Sequence, residues 1–203
     1  MRYRVTFSKT EAMRYTSHLD VQRTWERTLR RARLPLTYSQ GFNKRPKLNL
    51  AAALPLGFTS SCELAEFWLN ADPSPTEVEA RLREAAPPGL EIQSVVQVAP
   101  QTKKIPNLVV AAKYRITLLE PLDDLEARLT ELLAADSLER ERRGKPYDLR
   151  PLIETLRASD PRTLELKVSA RPGATGRPDE VLLALGLNPL TARIHRSELL
   201  LKN

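Results

Sequence analysis

Residues 99–108 contain two prolines and two lysines and show no hydrophobic period, and on both sides of this stretch the same order of periods recurs. Alternating apolar and polar residues mark a strand, and apolar residues three or four apart mark a helix. In the first half the pattern predicts a strand over 2–7, a helix over about 18–33, strands over 48–54 and 63–69, a helix from Ser74 or Thr76 to Ala85, and a strand over 90–98. Ser17 serves as N-cap of the first helix and Pro35 ends it. In the second half it predicts a strand over 109–119, a helix over 122–134, strands over 137–142 and 163–170, a helix over 178–185 and a strand over 191–201. Residues 145–161 read as an insertion in which Leu149, Leu152, Ile153 and Leu156 predict a short helix. The order βαββαβ closes as a four-stranded antiparallel sheet with two helices on one face. The expectation is therefore an α+β protein of two tandem ferredoxin-like domains: a basic one at 1–98, a linker at 99–108, and a second domain at 109–203.

Charge is distributed unevenly between those halves. The first 48 residues hold twelve Lys or Arg against three acids, a charge of +9, while the remaining 155 carry −2. A field confined to one end favours a polyanionic partner there, because phosphate contacts by Lys and Arg release counterions. No window approaches the roughly 18 apolar residues a membrane helix needs, so no membrane partner is expected. The N-terminus alternates as a strand does and shows no export signal, and the lone Cys62 excludes an internal disulfide. Both point to the cytoplasm. The same cysteine count excludes paired-cysteine zinc sites and iron–sulfur clusters held by this chain alone, and no cofactor of its own is expected.

The candidate nucleic-acid-binding residues lie on the first helix and the turn after it. Val21, Trp25, Leu29 and Ala32 recur on its core face, while Arg23, Arg27, Arg30 and Arg31 line another side. Gly41, Asn43 and Pro46 define a tight turn that carries Lys44, Arg45 and Lys47, and Tyr38 and Phe42 are possible stacking surfaces. Cations for the backbone and an aromatic under a base are what a single-stranded RNA site requires. The competing reading of Phe42 is a plug in the core beneath the turn.

His18 is the only histidine of the basic half and stands two residues from Asp20. Its ordinary pKa near neutrality suits a general base, and arginines beside it would hold a phosphodiester. Against that, a helix N-terminus disfavours imidazolium, and no acid partner is in view. The glycine loop at 171–180 lacks the spacing of a phosphate-binding loop and reads as a turn with Pro178 in the first helical turn. Three readings follow: an RNA- or anion-binding module, a metal-independent ribonuclease using His18, and a protein-binding adaptor whose cations meet an acidic partner.

Ser17-His18-Leu19-Asp20, the run Arg30 to Leu36, Tyr38-Ser39-Gln40-Gly41-Phe42-Asn43 and Leu54-Pro55-Leu56-Gly57 resemble the start of a bacterial radical-SAM-linked family, a domain of unknown function. The likeness is dense over about the first 70 residues; beyond them it rests on Lys113-Tyr114-Arg115 and on the run Arg177 to Val181. Where that family tends to have Pro-His after Phe-Asn, this chain has Lys44-Arg45, so no role is carried over to that position. The resemblance implies a cytoplasmic accessory module working with a radical SAM protein, which would itself carry the iron–sulfur cluster and cofactors.

Overall fold

The computed structural model describes residues 1–142 and 144–202. It is a mixed α+β structure with four α-helices among the described residues and a mostly antiparallel arrangement of strands. The chain divides into two compact units, Met1–Leu108 and Val109–Asn203.

Unit 1 runs β1 (Arg2–Lys9), α1 (His18–Arg31), β2 (Leu48–Leu50), β3 (Phe58–Trp68), α2 (Pro75–Ala85) and β4 (Leu90–Val98). Its strands order as β4-β1-β3-β2, every pairing antiparallel. Alternation on β1 sends Tyr3, Val5 and Phe7 to the helix-covered face, where Tyr3 stacks on Phe67 and Phe7 meets Trp25 edge-on. Val21, Leu29, Val78 and Leu82 complete that core. Arg2 and Arg4 fall on the opposite face, in register with Trp68 and Glu66.

Three expectations for this half are corrected. The strand expected over 48–54 spans only Leu48–Leu50, because the chain turns through Pro55 and Gly57, the latter at φ +83. The strand expected over 63–69 begins five residues earlier, at Phe58, where that turn ends. The stretch expected as a linker is not free. Ile105 is fully buried and donates its N–H to Glu66 Oε2 at 3.2 Å, and Arg2 Nη2 donates to the carbonyls of Ala99 and Thr102, each at 2.7 Å.

Unit 2 runs β5 (Val109–Leu118), α3 (Leu125–Ala134), β6 (Glu139–Arg142), β7 (Lys145–Asp148), β8 (Ile153–Asp160), β9 (Thr163–Arg171), β10 (Ala174–Thr175), α4 (Pro178–Ala184) and β11 (Ala192–Leu201). Its main strands order as β11-β5-β9-β8, antiparallel throughout, and β10 adds two residues to β9. β6 and β7 pair only with each other. Leu125, Leu129, Leu132, Leu164, Leu166, Val181 and Ile194 are among its buried residues.

Here the insertion is corrected: β6 and β7 form a hairpin, and of the short helix expected within 145–161 only a 3-10 turn at Arg150–Leu152 forms before β8 begins. The register of β8 against β9 shifts between Ile153 and Thr155. An extra residue at such a bulge breaks strict alternation, so Ile153 and Leu156 both face inward three positions apart, the spacing of a helix. The helix expected over 122–134 begins at Leu125 with Asp124 as its cap residue, and Leu122 before it is tied to Pro161 through its N–H.

Candidate nucleic-acid interface

The first helix is set by its cap. Ser17 Oγ accepts from the Asp20 N–H at 3.2 Å and donates to Asp20 Oδ2 at 2.6 Å, closing the first turn in both directions. That hydroxyl, helped by Arg23 at 3.3 Å, holds the Asp20 carboxyl below its ordinary value. With successive residues about 100° apart around a helix, Arg23, Arg27, Arg30 and Arg31 fall within roughly one quarter-turn. Val21, Trp25, Thr28 and Leu29, all buried, centre on the opposite side. The four arginines therefore stand outward, and all four are exposed. Arg23 is paired with Asp20 and Arg30 lies 3.6 Å from Glu26, while Arg27 and Arg31 have no ion pair among the described residues.

After α1 the chain turns at Arg33, which takes φ +51, and Leu34 and Leu36 bury themselves as Leu36 bridges Leu69 at the end of β3. Thr37 donates its N–H to Trp68, Lys47 donates to Thr37, and Tyr38 bridges Pro46. Ser39 and Arg45 exchange two further bonds, from the Ser39 N–H to the Arg45 carbonyl at 2.8 Å and from the Arg45 N–H to Ser39 Oγ at 3.1 Å. The turn is closed at its stem, and Gly41 at its tip takes φ +129.

Phe42 is wholly exposed at 109%, so it does not plug the core. Tyr38 is 41% exposed, and Lys44 and Arg45 project without an ion pair among the described residues. Lys47 Nζ sits 4.8 Å from the Trp68 ring centroid. Since α1 runs back along β1 toward the Met1 end of the sheet, its last turn and this loop share one end of unit 1. A concavity of about 810 Å³ extends from the end of α1 to the end of α2, lined by Arg31, Arg33, Arg81 and Glu84, with Pro87 and Pro88, and Glu77 holds Arg81 at 2.7 Å. Arg81 escaped the sequence reading because it comes from α2.

His18 lies at the other end of α1, roughly 20 Å along the axis from Arg31. The expected grouping of His18 with the arginines is thus not made: even Arg23, roughly one and a half turns on, stands about 140° around the helix axis from it. Instead His18 lines a narrow crevice with Lys9, Glu63, Leu50 and Leu54. Lys9 is 1% exposed and donates to the carbonyls of Arg14 and Phe58, and Glu63 is buried opposite Phe7 on β3. An acid near His18 was invisible in sequence because β-pairing alone brings residue 63 to residue 7. The free space of about 10 Å³ holds about one water and no phosphodiester.

In unit 2 a groove of about 320 Å³ displays Lys113, Arg115, Arg157 and Lys167. Those cations are matched by acids: Lys113 by Glu198 at 2.6 Å, Lys167 by Glu154 at 2.8 Å, and Arg157 and Arg115 by Glu165. Arg177 is likewise held by Asp179, and α4 opens on Pro178 as expected of a turn. Cys62 is half-buried in β3 with its Sγ 3.5 Å from Ser60 Oγ. No helix among the described residues is long and apolar enough to cross a membrane.

A model of the family described as "Uncharacterized protein conserved in bacteria (DUF2344)" matches residues 2–178. That description carries no radical SAM association. No curated protein matches. A crystal structure of an unknown protein from Galdieria sulphuraria aligns over 100% of this chain and 98% of that one, at 16% identity and a TM-score of 0.27, a likeness too slight to bear on the fold.

Proposed function

Because the chain belongs to the DUF2344 family, whose description names no activity, we propose its function from its own surface: unit 1 binds single-stranded RNA through α1 and the 38–47 loop. One observation carries this reading. The arginines of α1 stand opposite its buried face, and Arg27, Arg31, Lys44 and Arg45 are exposed with no ion pair among the described residues, whereas Arg23, Arg30 and Arg81 are held by Asp20, Glu26 and Glu77. The charge-balanced groove of unit 2 lacks that imbalance. The strand orders β4-β1-β3-β2 and β11-β5-β9-β8 support reading each unit as ferredoxin-like. A cytoplasmic setting and a radical SAM protein as partner belong to the same proposal, and rest on the sequence resemblance.

The test is binding of a labelled single-stranded RNA at several salt concentrations. Affinity should fall steeply with salt and should drop at least tenfold in Arg27→Glu/Arg31→Glu and in Lys44→Glu/Arg45→Glu. Binding indifferent to salt or to both variants overturns the proposal, and retention of an acidic protein in place of RNA favours the adaptor reading.

A second reading, metal-independent cleavage with His18 as base, is supported by the crevice His18 shares with Lys9 and Glu63 and opposed by its lack of room. RNA cleavage in EDTA that vanishes in His18→Ala is its expected sign. Undiminished cleavage in that variant rules His18 out.

A further inference from the structure

The helix-free face of the unit 1 sheet carries a groove that the sequence did not suggest. Register places Arg2 opposite both Trp68 and Val98, so these three share that face. With Gln97, Ala99 and Pro100 they line a groove of about 620 Å³. Its walls are fixed. Arg2 is 7% exposed; its Nη2 is bonded to the Ala99 and Thr102 carbonyls and its Nη1 stands 3.9 Å from the fully buried Glu66. This pins the 99–102 turn to the sheet and makes it one side of the groove. Gln97 borders the groove from β4, its own side chain turned with Tyr3 to the helix-covered face, where Nε2 donates to Asp72 at 2.8 Å. The indole of Trp68 is the aromatic surface, with Lys47 Nζ at 4.8 Å and the Arg2 guanidinium at 6.0 Å from its centroid.

We infer that this groove takes a nucleobase of the single strand whose phosphates are bound by the cations proposed above; the inference rests on that reading and adds the base contact to it. The chemistry selects this occupant. Arg2 is already satisfied within the chain, so an acidic peptide would use Lys47 and leave the indole idle, and an aliphatic ligand would use the indole and leave Lys47 idle. A nucleotide uses both, since every base offers a face for stacking and a phosphate beside it. Lys47 belongs to both features. The bonds from Thr37 to Trp68 and from Lys47 to Thr37 tie the loop stem to the end of β3, so phosphate and base contacts share one rigid joint.

The experiment compares a fluorescein-labelled mixed-sequence single-stranded RNA with an abasic strand of equal length and charge, at one salt concentration. Wild type should bind the base-bearing strand more tightly, with quenching of Trp68 emission. Trp68→Ala should weaken that strand roughly 5- to 150-fold, the range corresponding to about 1–3 kcal/mol per stacked base, and leave the abasic strand unchanged, which also shows that the variant is folded. Trp68→Phe should keep most of the affinity. If wild type binds both strands equally and Trp68→Ala alters neither, the groove inference is overturned while the phosphate-binding proposal stands. If neither strand binds wild type, that proposal fails and the inference with it.

Discussion

Two side chains of unit 1 show how single groups respond to burial. The Tyr3 phenol is fully buried, donates to the Pro73 carbonyl at 2.6 Å and lies 3.0 Å from Asp72 Oδ1. Burial first, and the Asp72 carboxylate second, raise its pKa from 10.0 to about 12. A raised pKa means the folded state favours the protonated phenol, so this contribution is complete below pH 10 and is lost as pH climbs toward about 12. Phenolate absorbance should show a tyrosine titrating toward about pH 12, and Tyr3→Phe should abolish that step while leaving the upward shift that burial gives Tyr147. Glu66 is the second case. It is 0% exposed, 2.9 Å from Arg4, and accepts from the Ile105 N–H. Glu66→Ala strands buried cations, and its midpoint in urea should fall by an amount corresponding to about 3–5 kcal/mol, with the 99–102 turn released as Arg2 loses its neighbour. An unchanged midpoint would mean that the pair contributes nothing.

At the scale of elements, α1 is the test of local chemistry. Ser17→Ala removes the cap and should cost about 1 kcal/mol, read as a lower thermal midpoint, while RNA affinity stays as it was because the cations lie further along. Asp20, held below its ordinary pKa chiefly by the same hydroxyl, contributes above the unfolded value of 3.8 and loses that contribution as pH falls through its folded value. In Ser17→Ala the acid limb of stability against pH should flatten. The legibility of each element in the sequence follows its periodicity. β1, α1, α2 and β4 were readable nearly to the residue, β4 despite a bulge that spaces Ile92 and Val95 three apart, because Leu90 and Ile92 alternate before it. β8 was not, because its bulge imposes a helical spacing on a strand. Residues 99–108 were misread for another reason: what orders them is Arg2, about a hundred residues away in sequence. The candidate site divides in the same way. The arginine stripe is a property of one helix and was legible; Glu63, Arg81 and Trp68 reach their places through pairing and packing and were not.

For the molecule as a whole, the question is where its charge can act. The +9 of the first 48 residues falls within unit 1, and the residues after them are slightly acidic. If Arg27, Arg31, Lys44 and Arg45 each meet one phosphate, the logarithm of RNA affinity should fall against the logarithm of salt with a slope of about −3. Arg27→Ala/Arg31→Ala should reduce that slope by about 1.4. Changing Lys113 and Lys167 in unit 2, whose ammonium groups are already matched, should leave it alone. A slope near zero in wild type would exclude phosphate contacts as the source of affinity. Phe42 adds a last consequence. Its ring hangs in water at the tip of a loop whose stem is bonded shut below it, so the benzyl group is a free passenger in the thermodynamics of folding. Truncating it should leave the melting curve where it was, and any change in what the protein then does would report directly on what that ring meets outside its own chain.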